Sequence, residues 1–313
     1  MPAIKTTEQH TLVIGAGELG MAVLKALAAQ PVKGRLSVLL RPARPHETDS
    51  TRDAALRALG VDIVRCDLAS APEEELAGIF ASYATVICCT GFVGGAGTQR
   101  RITAAVLLAE VDRYVPWQFG VDYDVVGRGS DQGIFDEQLD VRDMLRAQSR
   151  THWVIVSTGM FTSFLFEPAF GVVDLEAAKV NALGRWDNRL TVTTPEDIGQ
   201  LTAAILAHEP RIDDKVIFVA GDTFTYERLA DMVDTYLGRK TQRNLWTVDA
   251  LRDAVQAHPH DKMRRYHLAF ARDTGVAWDK AATFNAAQDI AVTEVPAWLA
   301  AHANQPSHGG VTL

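Results

Sequence analysis

The sequence predicts an α/β protein built on a doubly wound parallel sheet, and three observations carry that prediction. Short runs rich in Val and Ile recur without polar alternation, segments of helical period separate them, and a glycine turn joins the first run to the first helix. Strands apolar on both faces, each followed by a few turns of helix, belong to βαβ units whose sheet is covered on both sides.

Strands are expected at 11–14, 36–40, 62–66, 85–89, 114–115 and 153–157. Between them, Leu19, Val23, Leu24 and Leu27 share one helical face, as do Leu56 and Leu59, then Ile102, Val106 and Leu107. Gly60 ends one helix, and Ser70-Ala-Pro-Glu opens the next. After residue 160 the pattern loosens. Phe161, Phe164, Phe166 and Phe170 crowd one stretch broken by Pro168, and Thr194-Pro-Glu-Asp and Thr225-Tyr-Glu-Arg each open a helix. A strand is expected at 216–220, then Ala-rich helices to Trp298-Leu299 and a loose terminus over 304–313.

Composition limits what this fold can do. The 313 residues are 47% hydrophobic and 22% charged, as in a soluble globular protein, and the net charge of −8 excludes nucleic acid and anionic membrane as bulk partners. No apolar stretch is long enough to span a bilayer. Three cysteines, two of them adjacent at Cys88 and Cys89, form neither a disulfide framework nor a zinc spacing. His258, His260 and His267 stand among Asp261, Lys262, Arg264 and Arg265, which is a solvated helical face, so no metal is expected. A cytoplasmic protein is the expectation.

Gly15-Ala-Gly17-Glu18-Leu19-Gly20 follows the first strand at once and opens the first helix at once. In that context Gly15 makes the tight turn, Gly17 lets backbone approach a pyrophosphate, and Gly20 lets helix pack on sheet. The helix N-terminus then offers free N–H groups to phosphate oxygens. The nucleotide is chosen by charge at the end of the second strand. An acid there would hold the ribose hydroxyls of NAD, but the sequence reads Leu40-Arg41-Pro42-Ala43-Arg44. Arg41 and Arg44 suit a 2′-phosphate, so NADP(H) is the expected cofactor. Residues 1–157 are therefore read as the cofactor-binding domain. Residues 158–313 are read as a smaller α/β substrate domain that contributes strands back to the main sheet.

The segment Asp112-Arg-Tyr-Val-Pro-Trp-Gln-Phe-Gly-Val-Asp-Tyr-Asp124 resembles the K-R-F-x-P-S-E-F-G-x-D signature of isoflavone-reductase-like and NmrA-like proteins, atypical relatives of the short-chain dehydrogenases. The glycine turn, Leu40-Arg41, 61–64 leading to Asp67-Leu68, Gln99, and Thr194-Pro-Glu-Asp197-Ile-Gly match as well. Pro-Trp-Gln-Phe-Gly and Val-Ser-Thr-Gly-Met-Phe are similar to the aromatic-alcohol-reductase branch. The resemblance implies a Rossmann domain for NADP, a smaller substrate domain, and reduction of phenylpropanoid-type aromatic molecules in the cleft between them. Homodimers are common in the group. By motif match, Gly15, Gly17, Glu18, Leu19 and Gly20 would cradle the pyrophosphate, Arg41 would meet the 2′-phosphate, and Asp67 and Leu68 would flank the adenine. Thr90, Gly91 and Phe92 would border the ribose, and Trp117, Gln118 and Phe119 would approach the nicotinamide.

One departure bears on the chemistry. Family reductases place a lysine four residues before an arginine on the helix after the Phe-Gly strand, as the ribose ligand and candidate acid or base. Here the helix reads Phe135-Asp-Glu-Gln138-Leu-Asp-Val-Arg142, so Gln138 stands in the lysine's place. Glutamine can hydrogen-bond a ribose hydroxyl but cannot transfer a proton near neutrality. Tyr123 is the replacement donor to test, provided its pKa is lowered; otherwise water donates. Asp122 either faces substrate or braces the turn, and Met160, Phe161 and Phe164 are candidate walls for a flat aromatic substrate as well as candidate core. Tyr236-Leu-Gly-Arg-Lys240 has the Y-x-x-x-K spacing of ordinary short-chain dehydrogenases, but it falls at a helix end outside the expected context. Three functions remain: an NADPH-dependent reductase of an aromatic or conjugated small molecule, an NmrA-type NADP-binding regulator without turnover, and a non-redox lyase or isomerase on the same scaffold.

Overall fold

The computed structural model describes residues 10–30, 34–42, 51–91, 95–130 and 133–302. Its first half alternates as the hydrophobic pattern requires: β1 (Thr11–Ile14), α1 (Glu18–Ala28), β2 (Leu36–Leu40), α2 (Thr51–Ala58), β3 (Asp62–Arg65), α3 (Glu73–Phe80), β4 (Thr85–Cys88), α4 (Thr98–Leu108) and β5 (Arg113–Val115). A short α5 (Tyr123–Val126), α6 (Asp136–Arg146) and β6 (His152–Ser157) complete it.

The second half starts with β7 (Met160–Phe161), α7 (Thr162–Leu165), β8 (Val173–Asp174), β9 (Lys179–Leu183) and β10 (Arg189–Thr193). Then come α8 (Pro195–Ala207), β11 (Lys215–Phe218), β12 (Asp222–Thr225), α9 (Tyr226–Leu237) and β13 (Gln242–Trp246). The chain ends in α10 (Val248–Ala257), α11 (Lys262–Ala269), α12 (Phe284–Ala287) and α13 (Val295–His302). Thr194 and Thr225 cap α8 and α9 through their side chains, as their sequences predict. Among the described residues no helix is long and apolar enough to cross a membrane.

Seven parallel strands form the main sheet in the order β11-β6-β5-β4-β1-β2-β3. This is the doubly wound Rossmann arrangement. The chain runs outward from β1 to β3, then crosses to β4 on the other side of β1, which makes the β1/β4 boundary the topological switch point. One face of the sheet is sealed by a core containing Leu19, Val23, Ile198 and Leu201. The other is sealed by Leu76, Phe80, Ile102, Val106, Val141 and Leu145. A separate core beyond the sheet joins Phe164, Phe170, Val180, Leu190, Tyr226, Leu229 and Tyr266.

Residues from the second half return to the main layer. α8 lies directly on α1: a Cβ at Gly199 would come within 2.6 Å of the Ala22 carbonyl oxygen, so glycine permits this close helix crossing. β11 pairs in parallel with β6, Lys215 opposite Val154 through Phe218 opposite Ser157. It stops short of the expected 216–220 because Asn285 takes over the backbone of Ala220, accepting from its N–H and donating to its carbonyl, both at 3.1 Å. β5 begins one residue earlier than expected, at a buried arginine. Arg113 is tolerated there because its guanidinium donates to the carbonyls of Leu206 (2.8 Å) and Ile212 (2.7 Å), with Asp213 at 3.6 Å.

Candidate cofactor and active site

The glycine turn lies at the switch point. Gly15 has φ of +92°, in the left-handed region, and its N–H donates to the Leu39 carbonyl at 3.0 Å. A Cβ on Gly20 would stand 2.1 Å from the Gly15 oxygen, so that glycine is required by the packing of α1 on the turn. Gly17 differs: it caps α1 with an ordinary φ of −76°, is exposed, and would have nothing within 4 Å of an added Cβ. Among the described residues nothing demands glycine at 17, and what its absent side chain leaves open is space before the α1 N-terminus, since the N-cap residue itself offers no capping group.

At the end of β2, Arg41 is exposed and, among the described residues, its guanidinium forms no ion pair. Its carbonyl accepts from Arg65 Nη1 at 3.0 Å, and Arg65 is itself paired with the buried carboxylate of Asp53. Arg65 stands beside Leu40 in the β2–β3 register, so a buried acid on α2 sets the backbone from which Arg41 projects. Asp67 folds the next turn. Its carboxylate accepts from Ser70 Oγ (2.8 Å) and the Ala69 N–H (3.0 Å), and these bonds hold it below the usual aspartate range. The carbonyl of Leu68 accepts from Arg101.

On the other side of the switch point, Thr90 and Gly91 leave β4, with Gly91 at φ of +60° over the ring of Trp117. Gln99 on α4 donates to the Gly91 carbonyl and lies 3.4 Å from Thr90 Oγ1. After β5 comes a buried polar relay. Gln118 Nε2 donates to the Gln138 carbonyl (2.9 Å), Arg142 Nε donates to Gln118 Oε1 (3.0 Å), and Arg142 Nη1 donates to Asp124 Oδ2 (2.6 Å). The side chain of Gln138 is fully buried, and among the described residues neither its amide nitrogen nor its amide oxygen has a hydrogen-bond partner. Two such orphans on one side chain are costly and point to a polar ligand that completes them.

The NmrA-like family model matches residues 7–286. The chain belongs to the NmrA-like family. The NmrA-like chain is 44% identical over 297 residues to an NmrA-like family domain-containing oxidoreductase of Gibberella moniliformis, covering 93% of this chain and 97% of that protein. It superposes on the crystal structure of an isoflavone reductase with a TM-score of 0.75 at 18% identity, covering 93% and 98% of the two chains. An NADPH-dependent quinone oxidoreductase from Escherichia coli gives 0.72 at 17% identity, covering 94% and 100%. At these identities the two superpositions establish the shared fold, and the relatives are oxidoreductases by name.

Several residues of the NmrA-like chain sit differently from the sequence expectation. Tyr123 packs 5.2 Å from Phe135 and under the Arg142 guanidinium, and burial pushes its phenol far above the usual tyrosine range. The lowered pKa that proton donation would have needed is therefore absent. Phe164 is core, with Phe170 at 4.5 Å and Tyr266 at 5.9 Å, and Met160 is buried in the same cluster. Phe119 is likewise buried, in the sheet core, while Trp117 is only half-buried. Asp122 caps α5 and donates its N–H to the Gly275 carbonyl at 2.8 Å, which is the turn-bracing alternative. Phe161 does keep an open position, half-buried where the sheet core meets the second core.

Arg44 and Phe92 lie outside the described residues. Tyr236 and Lys240 are separated by Gly238, which ends α9 in the left-handed region, and Lys240 pairs with Asp234 at 3.0 Å. Arg65, Asp53 and Arg142 were the residues that sequence reasoning missed. Arg65 had a visible signal, since it ends the strand next to Arg41. Arg142 had none beyond its spacing from Gln138, because burial of an arginine is decided by which carboxylate and amide reach it.

Proposed function

We propose that this protein is an NADPH-dependent reductase of an aromatic or conjugated small molecule, of the phenylpropanoid, aromatic carbonyl or quinone type. The observation that carries the cofactor is the glycine turn at the switch point, where Gly17 stands as the N-cap of α1 with no side chain over the helix end and nothing within 4 Å of an added Cβ. Three features of the chain fit the dinucleotide: this glycine-capped helix start for the pyrophosphate, the exposed guanidinium of Arg41, which has no ion pair among the described residues, for a 2′-phosphate, and the Gln138 amide, without a hydrogen-bond partner among the described residues, for the hydroxyls of the nicotinamide ribose. When bound, reduced nicotinamide would supply hydride to the substrate.

The chain's own residues position and shield. Gln138 offers an amide NH2 and a carbonyl oxygen in a buried setting, where each hydrogen bond orients strongly. Its backbone is fixed by Gln118, and Gln118 by Arg142. Trp117 and Phe161, both half-buried, offer apolar surface to a flat substrate. The isoflavone reductase and quinone oxidoreductase that share the fold are named for substrates of this shape. With Gln138 unable to transfer a proton and Tyr123 buried, protonation falls to water, which favours acceptors that need little acid assistance.

Oxidation of NADPH followed at its nicotinamide absorbance, across a panel of aromatic aldehydes, enones and quinones, tests the proposal. Turnover fastest with quinones or enones is expected. Tight NADP⁺ binding with no turnover on any acceptor would instead support the regulatory reading, which Gln138 in place of a proton-transferring lysine favours.

A further inference from the structure

The start of α4 should be a second anion site beside α1, because the first N–H groups of a helix lack internal partners and carry its positive end. It is already filled from within the chain. Glu137, in the first turn of α6, places Oε2 2.9 Å from the Gly97 N–H and Oε1 2.7 Å from the Gln99 N–H, with the Arg100 N–H at 3.3 Å. A carboxylate some forty residues downstream thus does the work of an N-cap, so a phosphate would find the start of α4 occupied.

The two residues that meet at this cap lead to opposite walls of the cofactor site. Gln99 continues from α4 to the β4 loop, donating to the Gly91 carbonyl and reaching Thr90 Oγ1, while its Oε1 accepts from Cys88 Sγ at 3.4 Å. Glu137 is followed at once by Gln138, whose carbonyl is held by Gln118. We propose that Glu137 is a positioning residue for the nicotinamide-ribose end of the cofactor site: by capping α4 from α6 it sets Gln138 against the Thr90–Gly91 loop. This rests on the NADPH reading above.

The adenosine end would sit by Arg41 and the Asp67–Leu68 turn, which α4 reaches only through Arg101 one turn beyond the cap, and that provides the test. Dissociation constants for NADPH and for adenosine 2′,5′-bisphosphate, which lacks the nicotinamide half, are measured on wild type, Glu137→Ala, Glu137→Gln and Arg100→Ala. Arg100→Ala removes an exposed ion pair with Asp140 (3.1 Å) that ties the same two helices without touching the cap. Glu137→Ala is expected to weaken NADPH about tenfold, a change of about 1.4 kcal/mol, and to leave the bisphosphate unchanged. Glu137→Gln, which keeps the shape and one acceptor oxygen, falls between, and Arg100→Ala matches wild type. Equal weakening of both ligands by both Glu137 variants, or unchanged NADPH binding in a folded Glu137→Gln protein, overturns the proposal. If wild type binds neither ligand, the cofactor reading fails and takes this proposal with it. If wild type binds both and the variants show no difference between them, the positioning role alone fails.

Discussion

The guanidinium of Arg142, fully buried, donates to the carboxylate of Asp124 at 2.6 Å, and Arg146 grips the same carboxylate from the protein surface at 2.6 and 2.9 Å. Asp124, with Asp122 farther off at 3.8 Å, therefore neutralises the buried charge in the relay that ends at Gln138. A buried cation left without its carboxylate is far more costly than an exposed one, since water cannot replace the partner.

Asp124→Ala should lower the unfolding free energy by about 2–3 kcal/mol near neutral pH, measured by urea denaturation. The loss depends on pH with a definite sign. Hydrogen bonding from Arg146, then the charge of Arg142, depresses the Asp124 carboxyl to about 2. Its stabilisation is thus complete above the unfolded aspartate value of about 4 and fades as pH falls toward about 2. Wild type and variant should converge in acid; a gap that stays constant from neutral pH to acid would contradict this.

Two glycines in one motif should behave oppositely. Gly17→Ala meets nothing within 4 Å, so its melting temperature should match wild type, while NADPH binding weakens by about tenfold or more as a methyl enters the space proposed for the pyrophosphate. Gly20→Ala must displace the Gly15 carbonyl, so it should lose stability and binding together. Thermal melts beside NADPH titrations check both.

Arg41→Ala should weaken NADPH by about 10- to 100-fold and leave NADH nearly unchanged, since only the former carries the 2′-phosphate. Arg65→Ala should shift the same ratio more weakly, because it acts through the Arg41 carbonyl. Equal losses for both nucleotides in Arg41→Ala would place the 2′-phosphate elsewhere.

Gln138→Leu should separate stability from binding. Removing two orphaned polar atoms at near-constant volume should stabilise the ligand-free protein by about 1–2 kcal/mol, while NADPH binding weakens. A variant that loses stability would show that the amide is already satisfied in the fold.

The architecture was legible because it is written in short-range signals. Unbroken apolar runs such as Val13 and Ile14 specify buried parallel strands, and the Gly15–Gly20 spacing specifies a strand–turn–helix junction. Thr194 and Thr225 announced their helices because capping is local chemistry between residues three apart. Arg41 was readable for the same reason, as the residue that directly follows a strand.

What tertiary structure decided was the partnering of polar groups distant in sequence. Glu137 resembles any acid in a first helical turn until α4 supplies three N–H groups 37 to 40 residues away. Tyr123 and Phe164 resemble cleft residues until the second core closes around them. By itself the sequence determined the sheet, the glycine turn and the sign of charge at Arg41, since each depends on neighbours along the chain. Only the fold decided that Gln138 is buried with both amide atoms unpaired among the described residues, because burial and hydrogen-bond satisfaction belong to the surroundings and not to the residue.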